Sequence, residues 1–471
     1  MTDDEIRAHP QRARRELERL SVENGELSAE NRRLQRRIAD LEARLEQARR
    51  AGKRQAAPFS RNQPVEEPRR PGRHSGEEHG EHHCRPRPPR IDETVVAALS
   101  EVCPHCGGGV EETEVVEQFQ EDVPSVTPTV TRFVIHVGRC RGCARRIQAR
   151  HPRQTSDAVG AAGVQVGPRA LSLGTSLHYE AGLSFAKSAE VLAQSTGVRV
   201  AVSTLVRAAG RVAGQCQEID SAIRDGVRSA AVVTPDETGW RVGGRNAWLW
   251  AAAAEDATAY AVAPSRGADV VEELLGLDYA GIVVRDGWAP YRQLTEAEHQ
   301  TCLAHLLRRC DELREDSWGR GREVPNLVAR LIQDGLEVRD RRDGGELSTV
   351  AVRRRLGELE RRLDRLLERP AIRHPGNRRL LDHLATERAA MFTFLRHPGV
   401  PATNWRAEQA IRPAVVNRKT WGGNRTWPGA AIQQLLMTVL RTCRQRHLDG
   451  ITILTASLHA PGRASPALLL A

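Results

Sequence analysis

The sequence predicts a multidomain α/β protein: an N-terminal coiled coil, a metal-pinned ribbon, a helical region, and an α/β core interrupted by a helical insertion. Three observations predict it. Leucines recur every seven residues over the first fifty positions, two Cys-x-x-Cys pairs follow a Pro-rich stretch, and further on apolar runs ending in acids alternate with helical patterns. At 471 residues the chain has room for about three units of ordinary domain size.

Residues 1–52 carry the heptad. One seam is Leu20, Leu27, Leu34, Leu41 and Ala48; the other is Leu17, Asn24, Asn31, Ile38 and Leu45. Leu on one seam with Asn at some positions of the other favours a parallel two-stranded coil, because a buried Asn fixes register at a cost in stability. A homodimer through residues 17–48 is therefore expected, against the competing reading of an amphipathic helix folded back on the body of the protein. Gly25 weakens the second heptad.

Residues 53–95 read as a basic linker. Prolines from Pro58 to Pro89 prevent regular structure, and arginines from Arg69 to Arg90 make the segment cationic. His74, His79, His82, His83 and Cys84 have the chemistry of metal ligands, but a Pro-rich segment cannot preorganise a cage, so a flexible phosphate-touching linker is the better reading.

Residues 96–155 contain Cys103-Pro104-His105-Cys106 and Cys140-Arg141-Gly142-Cys143. Each pair can place two thiolates on one metal, with glycine nearby to permit the tight turn. Separated by a Val- and Thr-rich stretch from Val115 to Val137, they read as a ribbon whose strands are pinned by one structural Zn²⁺ on Cys103, Cys106, Cys140 and Cys143. Nine cysteines, four of them in these pairs, are not a disulfide framework and suit a reducing compartment.

Residues 156–228 are helical in pattern. A helix through Ser184–Leu192, a turn at Gly197 and a second helix capped near Ser203 have the shape of a helix-turn-helix, although many helical hairpins look the same. From 229 to 320 the expected order is a strand at Ala230–Thr234, two more at Ala247–Ala251 and Thr258–Val262, a helix at Val270–Leu275 and a strand at Gly281–Val284. Residues 321–400 are helical and Arg-rich, an insertion; 401–450 return to the core with a helix from Asn404 to Arg412, ended or kinked by Pro413. Residues 451–471 are a short apolar tail.

Lys plus Arg number 70 against 60 Asp plus Glu, and the excess is almost all arginine. Such a balance points to a polyanionic partner, most often nucleic acid. No apolar run approaches the ~18 residues of a membrane span, so a cytoplasmic protein is expected, held at the nucleoid when bound.

Asp236 and Asp286 end two apolar strands, where α/β sheets place their chemistry. Glu408 follows far downstream among Arg406, Arg412, Arg418, Lys419 and Arg425, and its spacing to Arg412 equally allows a structural ion pair. The order Asp236-Glu-Thr-Gly-Trp240, Asp286-Gly-Trp-Ala-Pro-Tyr291, Cys302-Leu-Ala-His305 and Glu408-Gln-Ala-Ile-Arg-Pro413, with Asn417-Arg-Lys419 after it, resembles the transposases of insertion sequence family 66. The chain departs from that family's pattern at Trp288, Trp405 and Gln409, which neighbour the acids and do not replace them.

The resemblance implies an RNase H-like core with a DDE triad of Asp236, Asp286 and Glu408. Three carboxylates can hold two Mg²⁺ ions about 4 Å apart, as cleavage of DNA ends and joining of the freed 3′-OH to target DNA require. His305 is read as a phosphate or site-orienting contact against the alternative of a helix-surface histidine. Arg412, Arg418, Lys419 and Arg425 are the expected backbone contacts to double-stranded DNA, both element ends and target. Helper proteins of the same element are possible partners. Two other functions use the same features: a DNA-binding regulator with inert acids, and a metal-dependent nuclease that cuts without joining. Glu237, adjacent to Asp236 on an extended segment, is expected to point to the opposite face and to tolerate conversion to Gln.

Overall fold

The computed structural model describes residues 86–154, 156, 165–317, 319–369 and 374–459, with isolated positions at 11–34 and at 465 and 467. It divides into two units, Met1–Glu121 and Asp122–Ala471. Most of the heptad, including Leu17, Leu20, Leu27 and Leu41, and the linker up to residue 85 lie outside the described residues; Asn24, Asn31 and Leu34 are helical and exposed.

The strands expected between the two cysteine pairs do not form. The second pair is flanked by a two-stranded ladder, β1 (Val137–Arg139) and β2 (Arg146–Gln148), but residues 110–136 have no regular structure. Val115, Val116, Val123 and Val130 are all exposed, and Pro124 and Pro128 interrupt the run. β-branched residues hold a strand only where a face is packed, and here none is.

The second unit is built around a five-stranded mixed sheet in the order β5-β4-β3-β6-β7. β3 (Val232–Val242), β4 (Arg245–Ala253) and β5 (Thr258–Ala263) form an antiparallel meander; β6 (Ile282–Arg285) runs parallel to β3 and β7 (Glu298–Thr301) parallel to β6. The β3–β4 turn has two residues, Gly243 and Gly244, with φ of 58° and 77°. Two positive φ values in a row are what a hairpin matched to strand twist requires. This topology is consistent with the RNase H-like core implied by the resemblance.

Helices cover both faces, so β4 is buried almost continuously from Ala247. One face carries α1 (Pro168–Tyr179), α2 (Phe185–Thr196), α3 (Val202–Gln215), α4 (Gln217–Arg228), α5 (Ala268–Leu275), and the C-terminal helices, with Val212, Ile219, Ile223, Leu274, Val439 and Leu440 packed on Trp250 and Ala252. The hairpin-like pair is present: Ser184 Oγ accepts from Lys187 N at 3.2 Å to cap α2, and Gly197 ends it at φ 72°. α3 has no side-chain cap; it begins after Ala201.

The helical insertion comprises α6 (Leu303–Glu315), α7 (Glu323–Asp343), α8 (Thr349–Leu367), α9 (Pro375–Thr386) and the short α10 (Thr393–Arg396), with a core of its own around Val328, Ile332, Leu359, Leu363, Leu380 and Phe392 that meets the sheet at Val284. α11 (Trp405–Trp421) lies on the other face against Trp240 and Leu249 through Ala410, Ile411 and Ala414. α12 (Trp427–Gln445) flanks β5, whose outer N–H groups it takes up: Val262 N donates to Gln434 Oε1 at 2.9 Å, Tyr260 N to Thr438 Oγ1 at 3.0 Å and Thr258 N to Thr442 Oγ1 at 3.2 Å. The presumed tail contains α13 (Gly450–His459), whose Ile453 and Leu454 are buried in the sheet's main core.

Three expectations are corrected. Asp236 lies inside β3, since the strand continues past Pro235 to Val242; Pro235 is tolerated because the ladder to β6 has already ended at Val233. The helix from Trp405 runs through Pro413 to Trp421. Its Ala410, Ile411, Ala414 and Asn417 face is buried, and the carbonyl that Pro413 leaves without a helical donor belongs to the exposed Gln409. β7 was not expected at all, because Glu298-His299-Gln300-Thr301 has no apolar alternation. It is held instead by polar contacts to the insertion: Gln300 Oε1 accepts from Phe394 N at 2.9 Å, and Thr393 Oγ1 donates to His299 O at 2.7 Å.

Candidate active site

The register of the parallel ladder sets the two aspartates level. Val233 pairs with Val283, and Asp236 and Asp286 are each three residues further along. Both therefore stand just beyond the point where β3 and β6 cease to pair. Asp236 Oδ1 accepts from Glu237 N at 2.9 Å, and Asp286 Oδ1 accepts from Trp288 N at 2.9 Å. Burial pushes the Asp236 carboxyl up to about 7, with further contributions from the Glu237, Asp286 and Glu408 charges. Asp236 thus lies within electrostatic reach of Asp286 and Glu408.

Glu408 is in the first turn of α11 and half-exposed; its N–H donates to Asn404 O at 3.2 Å. Its closest charged partner is His305, Nε2 to Oε1 at 3.9 Å, and among the described residues no ion pair joins it to Arg412. The structural Glu–Arg pair is thus absent. His305 is one turn into α6, where Cys302 acts as the junction: Cys302 N donates to Arg285 O at 2.7 Å, Asn404 N donates to Cys302 Sγ at 3.4 Å, and Leu303 N donates to Ala402 O at 3.0 Å. Cys302 ties the end of β6 to the starts of α6 and α11, bringing Asp286, His305 and Glu408 together.

Glu237 does turn away, but into a buried network. Tyr291 donates to its Oε2, and Arg266 Nε donates to Oε1 at 2.7 Å. The Arg266 guanidinium lies over the rings of Trp288, at 3.9 Å, and Trp248, at 4.7 Å. The expected tolerance of Glu237→Gln is therefore revised: this carboxylate is the buried partner of a charged group.

A cavity of about 340 Å³ opens beside Asp286, lined by Gly287, Trp288, Cys302, His305, Arg309 and His383 among others. Arg309 and His383 were not anticipated from the sequence. Both sit on ordinary amphipathic helices, and nothing in their local pattern sets them apart. Behind the cavity, Glu387 is buried and pairs with Arg285 at 2.9 Å and Arg292 at 3.2 Å, tying α9 to the residue that precedes Asp286.

Of the basic residues, Arg412, Lys419 and Arg425 are exposed. Arg418 is half-buried and donates to Gly239 O and, at 3.4 Å, to Thr238 Oγ1, so part of its hydrogen-bonding capacity is spent on β3.

Among the described residues no three His, Cys, Asp or Glu side chains are already at metal-ligating distance. The donor set nonetheless fits Mg²⁺: carboxylates are hard oxygen ligands, and a divalent cation would offset the burial, and to a lesser degree the neighbouring acids, that push the Asp236 carboxyl up. Each cysteine pair forms the same local turn. Gly107 N donates to Cys103 O at 2.9 Å with φ 75° at Gly107, and Ala144 N donates to Cys140 O at 2.9 Å with φ 56° at Ala144. Backbone N–H groups of His105 and Cys106 hold the Cys103 thiol below the usual range, and those of Cys143 and Gly142 do the same for Cys140.

Two aspartates level across the β3–β6 ladder and a glutamate on α11 are thus carried by one mixed sheet and its covering helix. The family model described as "Transposase IS66 family" matches residues 163–432, more than half of the chain, and the chain belongs to that family. The chain is also 25% identical over 309 residues to a protein of Sinorhizobium fredii named "Uncharacterized protein y4qI", an alignment covering 58% of this chain and 55% of that one. The chain thus spans about half the length of that relative. Among the described residues no helix is long and apolar enough to cross a membrane.

Proposed function

We propose that this protein is a DDE transposase that cuts at the ends of its element and joins the freed 3′-OH to target DNA, on an RNase H-like core. The observation that supports the reading is geometric: Asp236 and Asp286 stand level just beyond the β3–β6 pairing, and the Cys302 junction and His305 bring Glu408 toward the Asp286 end. Two Mg²⁺ ions on these acids would supply an activated oxygen nucleophile and charge stabilisation for the leaving 3′ oxygen. Asp236 and Asp286 are fixed by strand register and by backbone N–H groups, and Glu408 closes the site from α11. His305, on the Glu408 side, orients that carboxylate or the incoming phosphate. Arg412, Lys419 and Arg425 hold the duplex backbone outside the cleft, with Arg418 contributing less.

The Cys103, Cys106, Cys140 and Cys143 thiolates are proposed to hold one structural Zn²⁺, supported by the matching turns and by the lowered thiols. A homodimer through 17–48, helper proteins from the same element and a place on nucleoid DNA in the cytoplasm belong to the same reading.

The test is cleavage and strand transfer in vitro with Mg²⁺, using duplexes bearing the sequences that flank the gene. A transposase cuts and joins. A regulator would bind and do neither, and a nuclease would only cut; either result replaces the reading.

A further inference from the structure

We propose that Arg309 and His383 form a subsite for a phosphodiester of the bound DNA strand, next to the one being cut, so that the helical insertion completes the active site. The inference rests on the transposase reading and adds to it a specific contact. Arg309 follows His305 by one helical turn on α6, and both line the cavity beside Asp286. The opposite wall is His383 of α9. Its ring lies flush on the backbone at Gly287, where a Cβ would come within 2.4 Å of the imidazole Cε1.

The charge pattern points to an anion. Several arginines of the insertion, such as Arg314, Arg362 and Arg396, are paired with an acid, and others, such as Arg308 and Arg330, have none among the described residues; Arg309 is the arginine that lines the cavity. Arg309, facing the cavity, has no acidic partner among the described residues. Burial, opposed by the Glu387 charge and aided by Arg309, Arg285 and Arg292, keeps the His383 imidazole below the usual histidine range, which favours the neutral ring as an N–H donor. A guanidinium fork beside an imidazole donor suits two non-bridging phosphate oxygens. The position of His383 is fixed from behind. Glu387, four residues later at the C-cap of α9, is locked to Arg285 and Arg292, and Arg285 Nη1 donates to Asp286 O at 3.0 Å.

The test uses the full chain and duplexes bearing the ends that flank its gene. Arg309→Gln is expected to weaken end binding roughly tenfold and to lower the slope of log K against log salt by about one. Arg309→Lys should keep the slope. His383→Asn should weaken binding roughly threefold with the slope unchanged. A neutral methylphosphonate at one phosphate beside the cut should reproduce the Arg309→Gln loss in the parent protein and cost nothing further in the variant. Full affinity and slope in Arg309→Gln, or losses that simply add at every phosphate, would overturn the subsite while leaving the transposase reading intact. A parent protein that neither binds nor cuts the ends would remove the reading, and the subsite with it.

Discussion

Asp236 carries the largest electrostatic cost in the site. Its carboxyl sits near 7 in the folded protein against about 3.9 in an unfolded chain. Between these values the native state holds the extra proton, so stability falls as pH rises from about 4 through 7. Asp236→Asn should therefore melt a few degrees higher than the parent at pH 8 in chelator, with the difference gone near pH 4, while end cleavage is abolished. Glu408→Gln should also abolish cleavage, but with a nearly unchanged melting temperature, because the side chain is half-exposed and makes no close ion pair among the described residues, His305 standing 3.9 Å away. Cleavage retained in Glu408→Gln would end the triad at that position. Glu237→Gln behaves oppositely: it leaves Arg266 facing a neutral amide and a tyrosine hydroxyl, and should cost about 3–5 kcal/mol in denaturant unfolding.

At the scale of elements, α9 is the helix on which the site leans. Glu387→Gln should leave the buried Arg285 without its counter-charge, lower stability by about 3 kcal/mol or more, and slow cleavage in the folded fraction. Gly287→Ala should drive the His383 ring aside and reduce cleavage with little change in melting. Asp236, Asp286 and Glu408 could be singled out in the sequence because each stands in a short motif of the family resemblance. Arg309 and His383 could not, since 74 residues separate them and only the packing of α6 and α9 brings them to one cavity. β7 was hidden for a different reason. Its inward-facing Gln300 is satisfied by the backbone of the insertion, so burial there leaves no apolar trace. Glu237 was legible in direction but not in consequence, because its partners Arg266 and Tyr291 lie 29 and 54 residues away.

For the whole molecule, the heptad and the cysteine pairs make separate claims. Leu27→Glu together with Leu34→Glu should bring the mass in light scattering down toward a single chain; a parent and variant that both run as monomers would mean the helix packs internally. Metal analysis of the full chain should return about one zinc, lost when Cys103 and Cys140 are both changed to Ser. A parent chain that remains zinc-free when purified with zinc present would remove the ribbon.

One arrangement reaches beyond chemistry. Gln434, Thr438 and Thr442 are spaced four apart on a helix and meet donors spaced two apart on β5. Four helical residues rise about 6.0 Å and two strand residues about 6.8 Å, so the periods nearly coincide. In effect a row of side chains impersonates a neighbouring strand, and the β-rich half of the molecule ends there. A bare sheet margin at that place would offer unpaired backbone groups to a strand of another copy. The polar teeth of α12 close that margin: the β5 edge has no row of free donors to present to a second copy of the chain.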